Sequence, residues 1–203
     1  MSSHPGGEMS DAFKERIQKA SGEEISVVPY NPAWGRMFLE ERDHLRSCLP
    51  DGLIRRIEHF GSTAVPGMCA KPVIDILVEV RSLDETKKVI VPILESRGYE
   101  YFWRPVIGED PPFYAWFIKR DASGRRTHHI HMVEPDSELW DRLYFRDYLK
   151  IFPETRRAYR ELKNRLAGEF PNDRVAYTKG KTEFITWVTR EAKEYYSGSG
   201  IRE

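Results

Sequence analysis

The spacing of apolar positions divides the chain into a strand-rich first two thirds and a helical last third. Ser10 to Ala20 has the polar cap and the four-residue apolar spacing (Phe13, Ile17) of a short helix. Ile25 to Pro29 predicts a short strand. Asn31-Pro32 then reads as a helix start, a capping side chain followed by proline at the first helical position. Trp34, Met37, Phe38, Leu45 and Leu49 give that helix one apolar stripe, and Pro50-Asp51-Gly52 stops it. Leu53 to Phe60 and Val73 to Val80 predict two strands, joined by a loop containing Gly61-Ser62-Thr63, Pro66, Gly67 and Pro72. Ser82 can cap a helix over Leu83 to Arg97, bent or divided at Pro92 and stopped by Gly98. Aromatic strands are expected over Tyr99 to Arg104 and Phe113 to Lys119. The loop between them, Val106 to Pro112, is a candidate substrate lid. The turn Asp121-Ala122-Ser123-Gly124 makes a hairpin with Arg126 to Val133, and helices follow over Ser137–Phe152, Glu154–Phe170 and Thr178–Tyr196.

Strands with interspersed helices followed by a helical third predict an α+β fold, a mixed β-sheet flanked by helices. One domain is expected over 23–196, with flexible segments at 1–22 and 197–203. Lys+Arg and Asp+Glu each number 32, so the formal net charge of zero argues against nucleic acid and acidic membranes as general partners. Two cysteines, Cys48 and Cys69, have no metal or redox spacing and read as reduced thiols. No run approaches membrane-spanning length, and the N-terminus has no signal-peptide pattern. The expected location is the cytoplasm.

The candidate chemistry gathers around His59 to Val80. A carboxylate inside an apolar strand is costly to bury without a partner, and Asp75 sits in such a strand. The turn Gly61-Ser62-Thr63 offers backbone N–H groups and hydroxyls to an anion, so turn and aspartate read together as a phosphate cradle facing a metal ligand. The bland reading is a tight turn and a solvated aspartate. Strand alternation places Asp75, Leu77 and Glu79 on one face, with Glu79 about 13 Å beyond Asp75 and too far to share its metal. In Arg126 to Val133, His129 and His131 share one face and can reach a metal or a phosphate, with His59 as a further candidate. Lys71, next to the turn, is the better phosphate-binding lysine. Lys179 and Lys181 stand at an expected helix start, where the dipole disfavours cations, and that conflict hints at an anion site. Arg142 and Arg146, four apart, project together, and Arg146 is the one taken to balance phosphate charge. Trp103, Trp116, Trp140 and Trp187 are expected in the core, and no nucleophile elbow, Walker loop or dinucleotide-binding glycine pattern occurs.

GSTAVPGMCAKPVIDILVEV closely resembles the GSTAVPG…AKPIIDI signature of the GrpB-like family. The resemblance continues through VPYNPAW, HHIHMV, LYFRDYL and YTKGKTEFI, from roughly Ile25 to Tyr196. It implies a branch of the nucleotidyltransferase-fold superfamily, some of whose members are fused to a dephospho-CoA kinase domain. The superfamily pattern is a Gly-Ser turn, a spacer, then Asp-x-Asp on the next strand. Its carboxylates hold magnesium ions that align a nucleoside triphosphate for in-line attack. Gly61, Ser62 and Asp75 match, but Leu77 occupies the second aspartate position and His129 and His131 stand where a third carboxylate is expected. The implied ligand is a nucleotide or phosphorylated small molecule, with a divalent metal, magnesium or manganese ahead of zinc. Asp75 and His131 are the candidate catalytic residues, and Asp75, His129 and His131 the candidate metal ligands. Two rivals stand beside nucleotidyl transfer. One is a binding module that has lost its metal cluster; the other is a metal hydrolase built on His59, Asp75, His129 and His131.

Overall fold

The structure is a computed structural model that describes residues 23–104 and 112–198. The expected helix over 10–20, positions 106–111 of the expected lid and the tail beyond 198 lie outside these residues. In chain order the elements are α1 (Ala33–Cys48), β1 (Ile54–Phe60), a 3-10 turn (Ser62–Ala64), β2 (Ile74–Val80), α2 (Leu83–Glu85), a π-helical turn (Thr86–Ile90), α3 (Val91–Glu95), β3 (Glu100–Arg104), β4 (Tyr114–Arg120) and β5 (Arg126–Val133). They continue with a second 3-10 turn (Glu138–Asp141), α4 (Arg142–Ile151), α5 (Pro153–Glu169), α6 (Arg174–Lys179) and α7 (Thr182–Gly198). The strands form one sheet in the order β1-β2-β5-β4-β3. β2 and β5 pair in parallel and every other neighbour is antiparallel, so the sheet is mixed and the fold is α+β, with a helical C-terminal third.

Four local expectations change. Ile25 to Pro29 is not a strand; it makes one isolated bridge, Val28 to Ala70, because Pro29 lacks the N–H that would continue a ladder. The bend expected at Pro92 becomes a widened turn ahead of it, where the Val91 N–H donates to the Thr86 carbonyl. Proline cannot donate to residue i−4 and its ring clashes with that carbonyl, a conflict that a π-turn relieves. The expected helix over Ser137–Phe152 begins as a 3-10 turn, with Ser137 accepting from the Leu139 N–H. Thr178–Tyr196 is two helices rather than one. Asp173 caps α6 by accepting from the Val175 and Ala176 N–H groups, and the chain breaks at Gly180, where a Cβ would lie 2.6 Å from Leu166 Cδ2. Lys179 therefore sits in the last turn of α6, where the dipole welcomes a cation, whereas Lys181 stands immediately before Thr182 of α7, so the helix-start conflict is left to Lys181 alone.

The two faces of the sheet have different characters. Ile74, Ile76, Val78, Ile130, Met132, Ala115 and Phe117 point to one side and form the main core with Trp34 and Leu45 of α1 and with Ile90, Val91 and Leu94. Asn31 starts α1, its Oδ1 accepting from the Ala33 N–H at 2.9 Å. Glu41, buried on the same helix, anchors α1 by accepting hydrogen bonds from the Tyr99 hydroxyl and the Lys119 ammonium. The opposite face carries Asp75, His129, His131 and Trp116 and receives the C-terminal helices. Phe145, Leu149, Tyr159 and Val188 cluster there with Val65 and Met68 from the loop after β1. The tryptophans follow this division. Trp34 is the one in the core, Trp103, Trp116 and Trp140 are half-buried, and Trp187 is 45% exposed, contrary to the expectation that those four fill the core. Among the described residues no helix is long and apolar enough to cross a membrane.

Candidate functional site

The parallel pairing of β2 with β5 builds the centre of the site. Asp75 lies opposite His129, and Leu77 opposite His131, so the aspartate and both imidazoles emerge side by side on one face. One donor atom from each of Asp75, His129 and His131 falls within 4.8 Å of the others. His129 Nδ1 is 3.1 Å from Asp75 Oδ1, and Arg126 Nη1 is 3.4 Å from His129 Nε2. A guanidinium has no acceptor, so Nε2 is the bare nitrogen and Nδ1–H donates to Asp75. His131 differs: both its ring nitrogens are buried without a hydrogen-bond partner, as is the indole Nε1 of neighbouring Trp116. Buried polar atoms are normally satisfied, so three orphans together mark a place that wants a ligand.

The electrostatics keep these donors in ligand form. Burial lowers the His131 imidazole to about 3 and the His129 imidazole to about 4, against the attraction of Asp75, so both rings are neutral at pH 7. Burial pushes the Asp75 carboxyl up. The His129 hydrogen bond and the charges around it outweigh burial and hold Asp75 below its usual value, so it is an anion. One carboxylate and two neutral imidazoles make a donor set that suits manganese, iron or zinc, since magnesium prefers oxygen ligands throughout. The residues fit a divalent metal, with one adjustment. If His129 held a metal through Nδ1, its ring proton would sit on Nε2, facing Arg126, whose ion pair with Glu23 spans 2.7 Å.

Gly61 brings the preceding turn against Asp75. Its φ of 74° and ψ of −174° belong to a region that only glycine occupies readily, and a Cβ there would lie 2.5 Å from Asp75 Oδ2. The Ser62 side chain lies beside the Tyr159 hydroxyl of α5. Thr63 is buried, its hydroxyl 3.0 Å from His59 Nε2 and 3.4 Å from the Val73 carbonyl, so its hydroxyl is taken up inside the loop. His59 faces away from the cluster. It lies opposite Ile76 on the core side of the sheet and stacks on Phe38 at 4.9 Å, and burial lowers its imidazole to about 4. The four-residue metal set that included His59 is therefore not assembled in this structure.

The cations also sort differently from their sequence spacing. Lys71 and Lys181 approach one ring, their Nζ atoms 5.4 and 4.2 Å from the centroid of buried Tyr177. Lys179 is exposed on the far side of the break. Arg146 is spent on protein groups: it donates to Asp147 at 2.8 and 2.7 Å, to Glu58 at 2.9 Å and to the His59 carbonyl at 2.8 Å. Those bonds tie α4 to β1. Replacing Arg146 with glutamine should cost about 1–3 kcal/mol in chemical denaturation, less than a fully buried pair because the carboxylates are partly exposed. The affinity for anions should not change. Arg142, one turn earlier, makes no ion pair among the described residues, and its charge acts on His131 and Lys181. The spacing of Arg142 and Arg146 shows that they share a side of the helix. Asp147, adjacent to Arg146, is the one sequence signal that Arg146 has a partner of its own.

Glu79 is clear of the cluster, 3.8 Å from Arg55. Tyr114 of β4 stacks on His131 with centroids 5.4 Å apart, and Phe60 meets its edge at 5.1 Å, so aromatic rings pack against the His131 imidazole.

The chain has clear relatives. Residues 24–191 match the family described as GrpB protein. A protein of Pseudomonas aeruginosa called UPF0157 protein PA4798 is 38% identical over 179 residues, 88% of this chain and 72% of that one. The glutamate-rich protein GrpB of Alkalihalophilus pseudofirmus is 34% identical over 169 residues, 83% of this chain and 95% of that one. The crystal structure of the conserved protein GrpB from Enterococcus faecalis superposes with a TM-score of 0.71 at 34% identity, over 84% of this chain and 99% of that one. The chain belongs to the GrpB family.

Proposed function

We propose that the protein binds a nucleotide or another phosphorylated small molecule beside a divalent metal held by Asp75, His129 and His131, and promotes transfer at phosphorus. The observation that carries this reading is the cluster itself: three donors within 4.8 Å, with both nitrogens of His131 buried and unpartnered. The Gly61-Ser62 turn and Asp75 follow the nucleotidyltransferase-fold pattern, which supports nucleotidyl transfer as the particular reaction. Leu77, fully buried at the second aspartate position, argues against a pair of magnesium ions and moves the weight to a single manganese or zinc. When bound, such a metal supplies Lewis-acid stabilisation of charge developing on phosphoryl oxygens. The chain's own contribution is to keep Asp75 ionised and both imidazoles neutral, and to hold them on two adjacent strands whose register fixes their spacing. Neither His59 nor Arg146 has a direct part.

The test is thermal stability and calorimetry of metal-stripped protein with manganese, zinc and magnesium. Manganese and zinc should raise the melting temperature with concentration, magnesium less, because a ligand selective for the native state stabilises it by mass action. In His131→Ala the response should vanish while the fold persists, since the ring makes no hydrogen bond in the metal-free state. An undiminished response in that variant would overturn the metal assignment. The binding-module reading is favoured by Leu77 alone. It predicts stabilisation by nucleotides that is indifferent to metal.

A further inference from the structure

Beside the metal cluster lies a set of cations with no anion to match them. Lys71 comes from the loop before β2, Lys181 from the break between α6 and α7, and Arg142 from the start of α4. Three separated stretches of chain thus deliver positive charge around Asp75 and His131. Among the described residues the side chains of Lys71, Lys181 and Arg142 make no ion pair and no hydrogen bond. The Tyr177 ring, 1% exposed in α6, holds both ammoniums by its π-face. A third ammonium, Lys163 of α5, is nearby but occupied, donating to the Cys69 carbonyl. Asp75 is the carboxylate that acts on both free lysines, and it is already engaged with His129. Gathering like charges out of water is unfavourable unless an anion joins them, and a fold that does so gives up stability for a binding role.

The geometry points to a phosphate-dianion subsite formed by Lys71, Lys181 and Arg142, which anchors a terminal phosphate of the substrate next to the metal cluster. The substrate class is then a phosphomonoester or a nucleotide with a free terminal phosphate, and not a neutral molecule or a phosphodiester. The subsite rests on the phosphorylated-ligand reading given above, but needs no metal in place. Half-buried, mutually repelling ammoniums agree with it. Burial lowers Lys181 to about 7, helped by Lys71, and lowers Lys71 to about 8. The charged groups facing the pair are Asp75, Lys163, Arg142, Arg126, Arg174 and Glu23. Of these, Lys163 is lowered by burial to about 8 and titrates in the same direction.

The experiment is calorimetric titration of the intact chain with inorganic phosphate, sulfate and glycerol phosphate in the presence of EDTA, on the parent, Lys71→Met, Lys181→Met and Lys179→Met. Each of the first two substitutions should weaken phosphate binding about tenfold or more, the usual size for a charged hydrogen bond. Exposed Lys179 should matter little. Without ligand, Lys71→Met and Lys181→Met should be at least as stable as the parent, since an uncompensated half-buried charge is removed. A lysine serving only structure would instead lower stability when replaced. Sulfate keeps its two charges throughout, so its affinity should fall as pH rises from 7 to 9 and the ammoniums deprotonate. The ligand-free protein should gain stability over that range, because the unfolded chain, with lysines near 10.5, binds more protons there. Weaker binding of sulfate than of phosphate at pH 7 is compatible with this; absence of binding by every anion in EDTA overturns the subsite. Phosphate binding that appears only with manganese overturns it too, while leaving the metal reading intact. Binding in EDTA with no metal response supports the subsite and removes the metal.

Discussion

Asp75→Asn should abolish metal-dependent stabilisation and, where the parent turns over a phosphorylated substrate, turnover with it. Asparagine keeps the shape and removes the charge. The remaining donors are two neutral imidazoles, and a neutral amide oxygen is a poor third ligand for a divalent ion. Metal affinity should fall about a hundredfold or more, since removal of a mere outer partner of a metal site costs up to that much. A second consequence follows from the cations. Asp75 attracts Lys71 and Lys181 across the site, so removing its charge deepens their mutual repulsion and lowers stability without ligand. Added phosphate should recover more stability in Asp75→Asn than in the parent, because the anion now has less negative charge to compete with. Calorimetry with manganese and melting curves with and without phosphate read both effects. Manganese binding to Asp75→Asn within a few fold of the parent would remove Asp75 from the metal site.

Much of this site is legible in the sequence because strand geometry is strict. Alternation alone places His129 and His131 on one face and Asp75 on a face of its own strand, and the parallel register of β2 with β5 makes the two faces the same. What alternation does not reveal is which strand neighbours which. His59 shows the consequence: it precedes the turn by two residues, but its alternation phase turns it to Phe38 and the core. Charge partners are still less visible, since they depend on contacts distant in the chain. Arg146 finds Glu58, 88 positions away in sequence, while Arg142, on the same helix, finds no carboxylate among the described residues. The lysines at 179 and 181 depend on where a helix breaks, and that break reflects Gly180 packed against Leu166 rather than any local pattern. The α+β class and the order of the main elements survive these errors because they follow from periodicity, which is a property of each segment alone.

Gly61 is the position at which turn and metal ligand are fitted to each other, and Gly61→Ala should be among the most damaging single-methyl changes in the chain. Two costs arise together. The backbone lies at φ 74° and ψ −174°, where an L-residue costs about 1–3 kcal/mol. The added methyl would also stand 2.5 Å from Asp75 Oδ2 and 3.1 Å from Asp75 Cβ and Cγ, so either the turn or the aspartate must move. Together they should amount to about 3 kcal/mol or more, a fall in melting temperature of roughly 6–12 °C for a chain of this size. Gly67→Ala separates the two. Gly67 has the same φ of 74° but nothing within 4 Å of its Cβ position, so it reports the cost of a positive φ without the collision. If Gly61 matters only as a turn, the two variants lose similar stability, and the metal response survives in both. If the close approach matters, Gly61→Ala loses more stability than Gly67→Ala and also loses metal binding, because Asp75 is displaced from the histidines. A double-mutant cycle with Asp75→Ala then gives the sign of the coupling. Shortening Asp75 removes Oδ2 and Cγ and leaves only Cβ, at 3.1 Å, against the new methyl, so Gly61→Ala should cost less in the Asp75→Ala background than in the parent. Strict additivity would mean that glycine at this position serves the backbone alone and that the fit between turn and carboxylate has no energetic content.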